Sequence, residues 1–378
     1  MRKTIRFGII GCGLMGKEFA SASARWCHLT ADITRPEIVG ICDTNVASHP
    51  WFMDNFASIQ FATSDYHELL ARDDIDAIYC ALPHVLHEQV YIDVIRAKKH
   101  LLGEKPFGID QKANAHILSV IDQNPGTVVR CASEFPYFPA CQLLIDWIRK
   151  DRFGRIIEVK AGFNHASDLD VTKPINWKRR KAINGEYGCM GDLGIHTQHV
   201  PFRMGWIPRN VYAVLSDIVT TRPDGKGGTV PCDTWDNATL TCECEDKTGA
   251  LFPLFLETKR LSPGSTNDWY IRVTGMEASA FFTTDDPNAF NYLHSEGKNQ
   301  AWSRVVIGNK PLFPTITGDI FEFGFSDSIL QMWAAFMQEI EDKPVDFGCF
   351  TPEETRLSHA LQTAALQSHA EKRAVALV

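Results

Sequence analysis

An apolar-leaning run, Arg6 to Ile10, breaks at glycines and gives way to Lys17 to Trp26, whose mixed positions suit a helix. The alternation then repeats. Ile38 to Cys42 is a second β-type run, a helical stretch begins at Phe52, Ile75 to Leu82 is β-type again, and His87 to Lys98 reads as a helix. His100 to Gly103 forms a short strand before Glu104, Lys105 and Pro106. Strands alternating with helices predict βαβ units and a parallel sheet.

The pattern changes after about Val129. Ile156 to Phe163, Val211 to Ser216, Thr239 to Cys244, Ala250 to Thr258 and Tyr270 to Thr274 are longer β-type runs, some joined by turn signals such as Asp246-Lys247-Thr248-Gly249. They predict a large, mainly antiparallel open sheet. Leu357, Leu361, Ala364 and Ala365 give Pro352 to Ala370 the apolar face of a helix. At 378 residues the chain fits two domains, 1–130 and 131–378, with a cleft for substrate between them.

Composition narrows the partners. Hydrophobic residues at 44% and charged residues at 22% predict a chain folded throughout. A net charge of −8 argues against nucleic acid, since the one dense basic run is Lys178 to Lys181. That run is expected to be a solvated face or loop, or to meet a cofactor or an acidic substrate. No apolar run approaches the ~20 residues needed to span a bilayer, and the N-terminus lacks a signal-type cleavage site, so a cytoplasmic protein is expected. The 11 cysteines are scattered, without a CxxC pair, and are read as reduced, buried thiols with no metal site.

Gly11-Cys12-Gly13-Leu14-Met15-Gly16 lies between a β-type run and a helix, which is the context of a dinucleotide-binding, or Rossmann, turn. Gly11 permits the tight turn, Gly13 lets the backbone approach a pyrophosphate, and Gly16 lets the helix pack on the strand. Asp43 ends the second run, where a ribose-binding carboxylate belongs. Its distance of 32 residues from Gly11 exceeds the usual ~20. An expanded loop through Asp32-Ile33-Thr34-Arg35-Pro36 is expected to account for the excess. Because Thr44, Asn45 and Val46 bring no cation for a 2′-phosphate, NAD is expected over NADP.

Four features in this order carry a family resemblance: the glycine turn, Pro83 to His87 (Pro-x-x-x-His), Glu104-Lys105-Pro106, and Gly191-Asp192-Leu193-Gly194-Ile195-His196. With them the chain resembles the glucose-fructose oxidoreductase / inositol dehydrogenase / rhizopine catabolism (Gfo/Idh/MocA) family over nearly its whole length. The resemblance implies an α/β Rossmann domain and an α+β domain for substrate binding and oligomerisation. It implies that Lys105 lies by the nicotinamide and the substrate hydroxyl, that Asp192 and His196 bind substrate and take part in catalysis, and that His87 lies along the cofactor. Leu82, Pro83, His84 and Glu104 join the cofactor set, and the Pro106 bend would resemble the family's cis-proline region. The chain also departs from the family pattern. His84 stands where Asn is common, His199 where Asp is common, and Glu134-Phe135-Pro136-Tyr137-Phe138-Pro139 lacks the arginine of an Arg-Phe-x-Pro stretch.

Oxidising a secondary alcohol requires a base for the hydroxyl proton while hydride leaves carbon. His196 suits the base, since imidazole titrates near neutrality. On a helix, Asp192 and His196 share a face. Lys105 is read as an electrophile and proton relay that stabilises the developing alkoxide. Gly188, Gly191 and Gly194 are expected to admit a ligand close to the backbone, and Trp177, Lys178, Tyr137 and His165 to line the substrate pocket. Glu257 is expected on the open face of the sheet, which suits burial in a homodimer or homotetramer. The leading expectation is an NAD-dependent dehydrogenase of a sugar, inositol or related polyol. The alternatives are net hydrolysis or epimerisation with tightly held NAD, and non-catalytic nucleotide sensing.

Overall fold

The computed structural model describes residues 4–308, 310–318 and 320–377. It divides into two compact units. The first comprises Met1–Gly108, Lys112–Tyr137 and Lys310–Pro352; the second comprises Ile109–Gln111, Phe138–Asn309 and Glu353–Val378.

In the first unit β1 (Thr4–Ile10), β2 (Arg35–Cys42), β3 (Phe61–Thr63), β4 (Ala77–Cys80), β5 (His100–Gly103) and β6 (Val129–Cys131) pair in parallel in the order β3-β2-β1-β4-β5-β6. Helices α1 (Leu14–Ala24), α2 (His49–Asn55), α3 (Tyr66–Leu70), α4 (His87–Arg96) and α5 (Gln111–Asp122) join them. Strand order reverses between β1 and β4, and ligands of such sheets bind beyond the carboxyl ends at that switch. Gly11 follows β1 there, and Leu82 to His87 follow β4.

Two boundaries differ from the sequence reading. Arg35 and Pro36 belong to β2, opposite Thr4 and Ile5, so the expanded loop closes earlier than expected. β3 reaches only Gly40 to Cys42, which leaves this end of β2 an edge where proline's missing N–H costs no ladder bond. Helix α2 begins at His49 with Pro50 in its first turn, three residues before Phe52, because proline is favoured at helix starts.

Phe19 stacks between Tyr79 and Trp333, with Phe7 edge-on to Trp333 and Trp26 packed against it. Trp333 lies on α9 (Phe325–Ile340), so the chain returns after the large sheet to fill this core. Arg25 pairs with Asp327 at the start of α9.

The second unit holds a sheet of order β16-β15-β14-β13-β7-β12-β11-β8-β17. Its strands are β7 (Ile156–His165), β8 (Asn210–Ser216), β11 (Asn237–Glu245), β12 (Leu251–Lys259), β13 (Asn267–Gly275), β14 (Ala278–Thr283), β15 (Ala289–His294), β16 (Ser303–Val306) and β17 (Val375–Ala376). Only the β7/β12 pair is parallel among the described residues. A hairpin of β9 (Thr221–Pro223) and β10 (Thr229–Pro231) lies outside it, with helices α6 (Pro139–Arg149), α7 (Lys181–Asn184), α8 (Cys189–Arg203) and α10 (Pro352–Glu371).

Period-2 alternation sends Val159, Ala161, Phe163, Leu254, Leu256, Trp269 and Ile271 to one buried face, where α8 packs. The opposite face carries exposed Tyr212 and Val214. On it Glu257 is half-buried instead of solvated: Tyr270 Oη (2.7 Å) and Asn164 Nδ2 (2.8 Å) donate to it, and Lys259 pairs with it. The cysteines show no disulfide, and only Cys27 is exposed. Among the described residues no helix is long and apolar enough to cross a membrane.

Candidate active site

The glycine turn is built from three different constraints. Gly11 has φ +102°, and a Cβ there would lie 2.2 Å from Ala81 O. A Cβ on Gly16 would lie 2.2 Å from Gly11 O, so these two residues make the turn and the strand–helix contact. Gly13 differs, because a Cβ there would meet nothing within 4 Å. Its role is to leave open the space over the α1 N-terminus, where no side chain caps the helix and no acid stands in the first turn. Open amides and a positive helix end fit a pyrophosphate.

Asp43 is fixed beside that turn. Its Oδ2 accepts from Cys12 N and its Oδ1 from Asn45 N, both at 2.8 Å. Each oxygen has a second lone pair, which is the capacity a ribose diol needs. The Cys12 thiol is pushed up to about 12, by burial first and then by Asp43, which keeps it protonated and inert.

Beyond β4, His87 is buried and its Nε2 lies 2.9 Å from Leu82 O, which sets the course of Leu82, Pro83 and His84. The His87 ring stacks on Tyr91 at 4.7 Å. Tyr91 Oη donates to Glu104 O (2.7 Å) and Tyr79 Oη to Glu104 Oε1 (2.8 Å), so two tyrosines hold the residue before Lys105. The Lys105–Pro106 peptide is cis. In the same unit burial pushes the Glu134 carboxyl up to about 8, with the Glu104 charge adding to the effect and Lys105 opposing it.

In the second unit α8 carries Asp192 and His196 one turn apart, both buried. Asp192 Oδ2 accepts from Lys178 Nζ at 3.0 Å and from Arg260 Nη2 at 3.5 Å. Arg260 also donates to Lys178 O (3.0 Å) and Asn184 Oδ1 (3.3 Å), tying the loop before α8 to the end of β12. His196 lies edge-on to Phe163 (5.3 Å), whose ring also meets that of His165 (4.5 Å). Trp269 Nε1 donates to His196 O at 2.8 Å and anchors that turn of α8 to the sheet. Trp177 is partly exposed, with Lys178 Nζ 5.8 Å from its ring centre.

The structure thus brings together Asp192, Lys178 and Trp177, and places His165 near His196. Tyr137 belongs to the first unit, where it is fully buried with its hydroxyl on Cys349 Sγ (3.7 Å) and its ring edge-on to Phe347. The basic run is not one solvated face: Lys178 meets Asp192, while fully buried Arg179 pairs with Asp236 and Asp168. The glycines around α8 serve packing at two positions, since a Cβ would meet Trp235 N at Gly188 (2.6 Å) and Gln362 Nε2 at Gly194 (2.9 Å). His199 Nε2 accepts from Arg203 Nη2 (3.2 Å), and Arg203 pairs with Glu354. Arg260 escaped the sequence reading because a cation at a strand end looks like surface.

Comparison with known proteins fits this architecture. A model described as "Oxidoreductase family, NAD-binding Rossmann fold" matches residues 5–131, and a GFO/IDH/MocA C-terminal domain model matches residues 141–281. A levoglucosan dehydrogenase from Pseudarthrobacter phenanthrenivorans is 26% identical over 60% of this chain and 57% of its own length. A glucose-6-phosphate 3-dehydrogenase from Bacillus subtilis is 26% identical over 58% of this chain and 60% of its own length. The chain therefore spans less than two thirds of either relative. A solved levoglucosan dehydrogenase in complex with NADH and levoglucosan superposes with a TM-score of 0.87 at 22% identity, over 99% of this chain and 100% of that one, and so shares the fold.

Proposed function

The chain belongs to the Gfo/Idh/MocA oxidoreductase family, its first unit is an NAD-binding Rossmann domain, and from that premise we propose that it is an NAD-dependent dehydrogenase acting on a secondary hydroxyl of a sugar or related polyol. The observation that carries this reading is α8, where a buried carboxylate and a buried imidazole sit one turn apart with Lys178 and Arg260 on the carboxylate. Dehydrogenase names on both curated relatives support it.

Bound at the glycine turn, NAD supplies the hydride acceptor. His196 takes the hydroxyl proton. Lys105 stabilises the oxygen as negative charge develops on it. Asp192, oriented by Lys178 and Arg260, accepts from a neighbouring hydroxyl and sets which carbon is presented. Exposed Tyr212 and Val214 on the sheet's outer face support a homodimer or homotetramer, and the reduced thiols suit the cytoplasm.

A panel of sugars and inositols assayed with NAD and NADP by reduced-nicotinamide absorbance tests the activity. Lys105→Ala and His196→Ala should each lower kcat by about 100-fold or more while calorimetry still reports NAD binding. Full turnover in both variants would overturn the assignment. Bound NAD surviving purification, with substrate converted and no net NADH formed, would favour the non-redox alternative.

A further inference from the structure

The strand-to-helix turn that presents Asp43 is closed by a residue outside the glycine motif. Helix α2 opens on His49, which is buried at 8% exposure, and its ring folds back across residues 44–48 to place Nε2 3.1 Å from Asp43 O. A carbonyl oxygen only accepts, so Nε2 carries the hydrogen and donates. Fully buried Phe52, three residues on, pins the helix from which His49 reaches. Within the turn, Ser48 N (2.9 Å) and Ser48 Oγ (2.7 Å) both donate to Asn45 O.

Asp43 is thereby held at every polar group it has. Its N donates to Thr63 O (3.1 Å) and its O accepts from His49, while Oδ2 accepts from Cys12 N and Oδ1 from Asn45 N.

We propose that His49 is a positioning residue for the cofactor: by holding the Asp43 main chain, it keeps the carboxylate where it accepts from the ribose diol of NAD and repels a 2′-phosphate. This role requires that Asp43 meet the ribose, as the NAD-dependent reading above holds. A carboxylate binds a diol best when both oxygens are already aimed, because each group that must be ordered on binding subtracts from the bonds gained. Rejection of NADP depends on the same rigidity, since a carboxylate free to turn away relieves the like-charge repulsion. The surroundings do not lack a cation. Lys17 of α1 carries its ammonium 5.2 Å from the ring centre of Trp51 on α2, and its charge reaches the Cys12 thiol. Fixing Asp43 is therefore what guards the choice of cofactor.

Calorimetry of the full chain with NAD and with NADP, in the absence of substrate, tests this. His49→Leu keeps most of the bulk and removes the donor, whereas His49→Gln restores an N–H at about the reach of Nε2. The ratio of the NADP to the NAD dissociation constant should fall about threefold to tenfold in His49→Leu, the usual net contribution of one hydrogen bond, and recover in His49→Gln. His49→Asn, a polar variant whose amide is too short to reach Asp43 O, should show the same fall. A turn that had merely loosened would weaken both cofactors alike, so an unchanged ratio in His49→Leu or His49→Asn overturns the role of His49 whatever happens to Tm. In the Asp43→Ala background, His49→Leu should leave the ratio where Asp43→Ala alone puts it, and a further drop of full size would overturn the coupling through Asp43. An Asp43→Ala protein that keeps the unmodified preference overturns it as well, by removing Asp43 from the ribose. These constants are measured without turnover, so failure on every polyol would sink the dehydrogenase reading alone.

Discussion

Gly13 and Gly16 belong to one motif and separate cleanly in what they do. Gly13→Ala meets open space, so its Tm should stay within the spread of a neutral surface change, ~0.5 kcal/mol, while NAD affinity measured by calorimetry falls about tenfold or more. Gly16→Ala places a methyl against Gly11 O and should cost about 2 kcal/mol or more, read as a lower Tm without cofactor. Glu134 makes a second prediction at this scale. Its folded pKa of about 8 lies above the ordinary 4.5, so the unfolded chain releases this proton first as pH rises. Stability from this group is greatest in acid and declines up to about pH 8, by at most roughly 5 kcal/mol at ~1.4 kcal/mol per pH unit. Glu134→Gln should shrink the Tm difference between about pH 5 and about pH 9, and an unchanged difference would show that Glu134 ionises normally. The glycine turn and Asp43 were legible because they sit at a strand-to-helix junction. The charge state of Glu134 was not, since one letter carries no information about burial beside Glu104.

At the scale of elements, β1, β4, β7 and β12 were readable to within a few residues from their alternation or unbroken apolar character, whereas β14 and β15 were not read. The three-residue β3 and β6 escaped, being too short to show a period. Helix α8 shows the same limit for a site. Its Asp192 to His196 spacing could be read as one face of a helix, but Arg260 comes from the end of β12, and sequence distance hides that contact. The two cations on Asp192 should behave differently. Arg260 is buried and donates to Lys178 O, Asn184 Oδ1 and Asp192 Oδ2, so Arg260→Met strands several acceptors and should cost about 2 to 4 kcal/mol. The Lys178 side chain is 41% exposed, so Lys178→Met should cost at most about 1 kcal/mol. Its effect should fall on substrate KM, since Asp192 loses one of the groups that orient it. Equal Tm losses for the two variants would contradict this division.

For the whole molecule, two units and their sheet types followed from the change of pattern near Val129. The return of residues 310–352 to the first unit did not, because an amphipathic helix such as α9 carries no mark of which core it fills. Trp333→Ala should therefore destabilise the NAD-binding unit by about 3 to 5 kcal/mol, although it lies just over 200 residues beyond that unit's last strand. The outer sheet face makes an independent prediction. Val214→Asp should shift the species seen by sedimentation toward monomer with little change in Tm, and an unaltered mass would remove that face from any assembly.

The late arrival of Trp333 also bears on how the protein is made. Residues 138 to 309 separate the first six strands from the segment that closes their core. At about 5–20 residues per second, the ribosome takes roughly 10 to 40 s from finishing β6 to delivering Trp333. Throughout that interval Phe7 and Phe19 lack their principal aromatic cover, and a nascent chain stalled before Lys310 presents a sticky surface to chaperones instead of a finished nucleotide-binding domain.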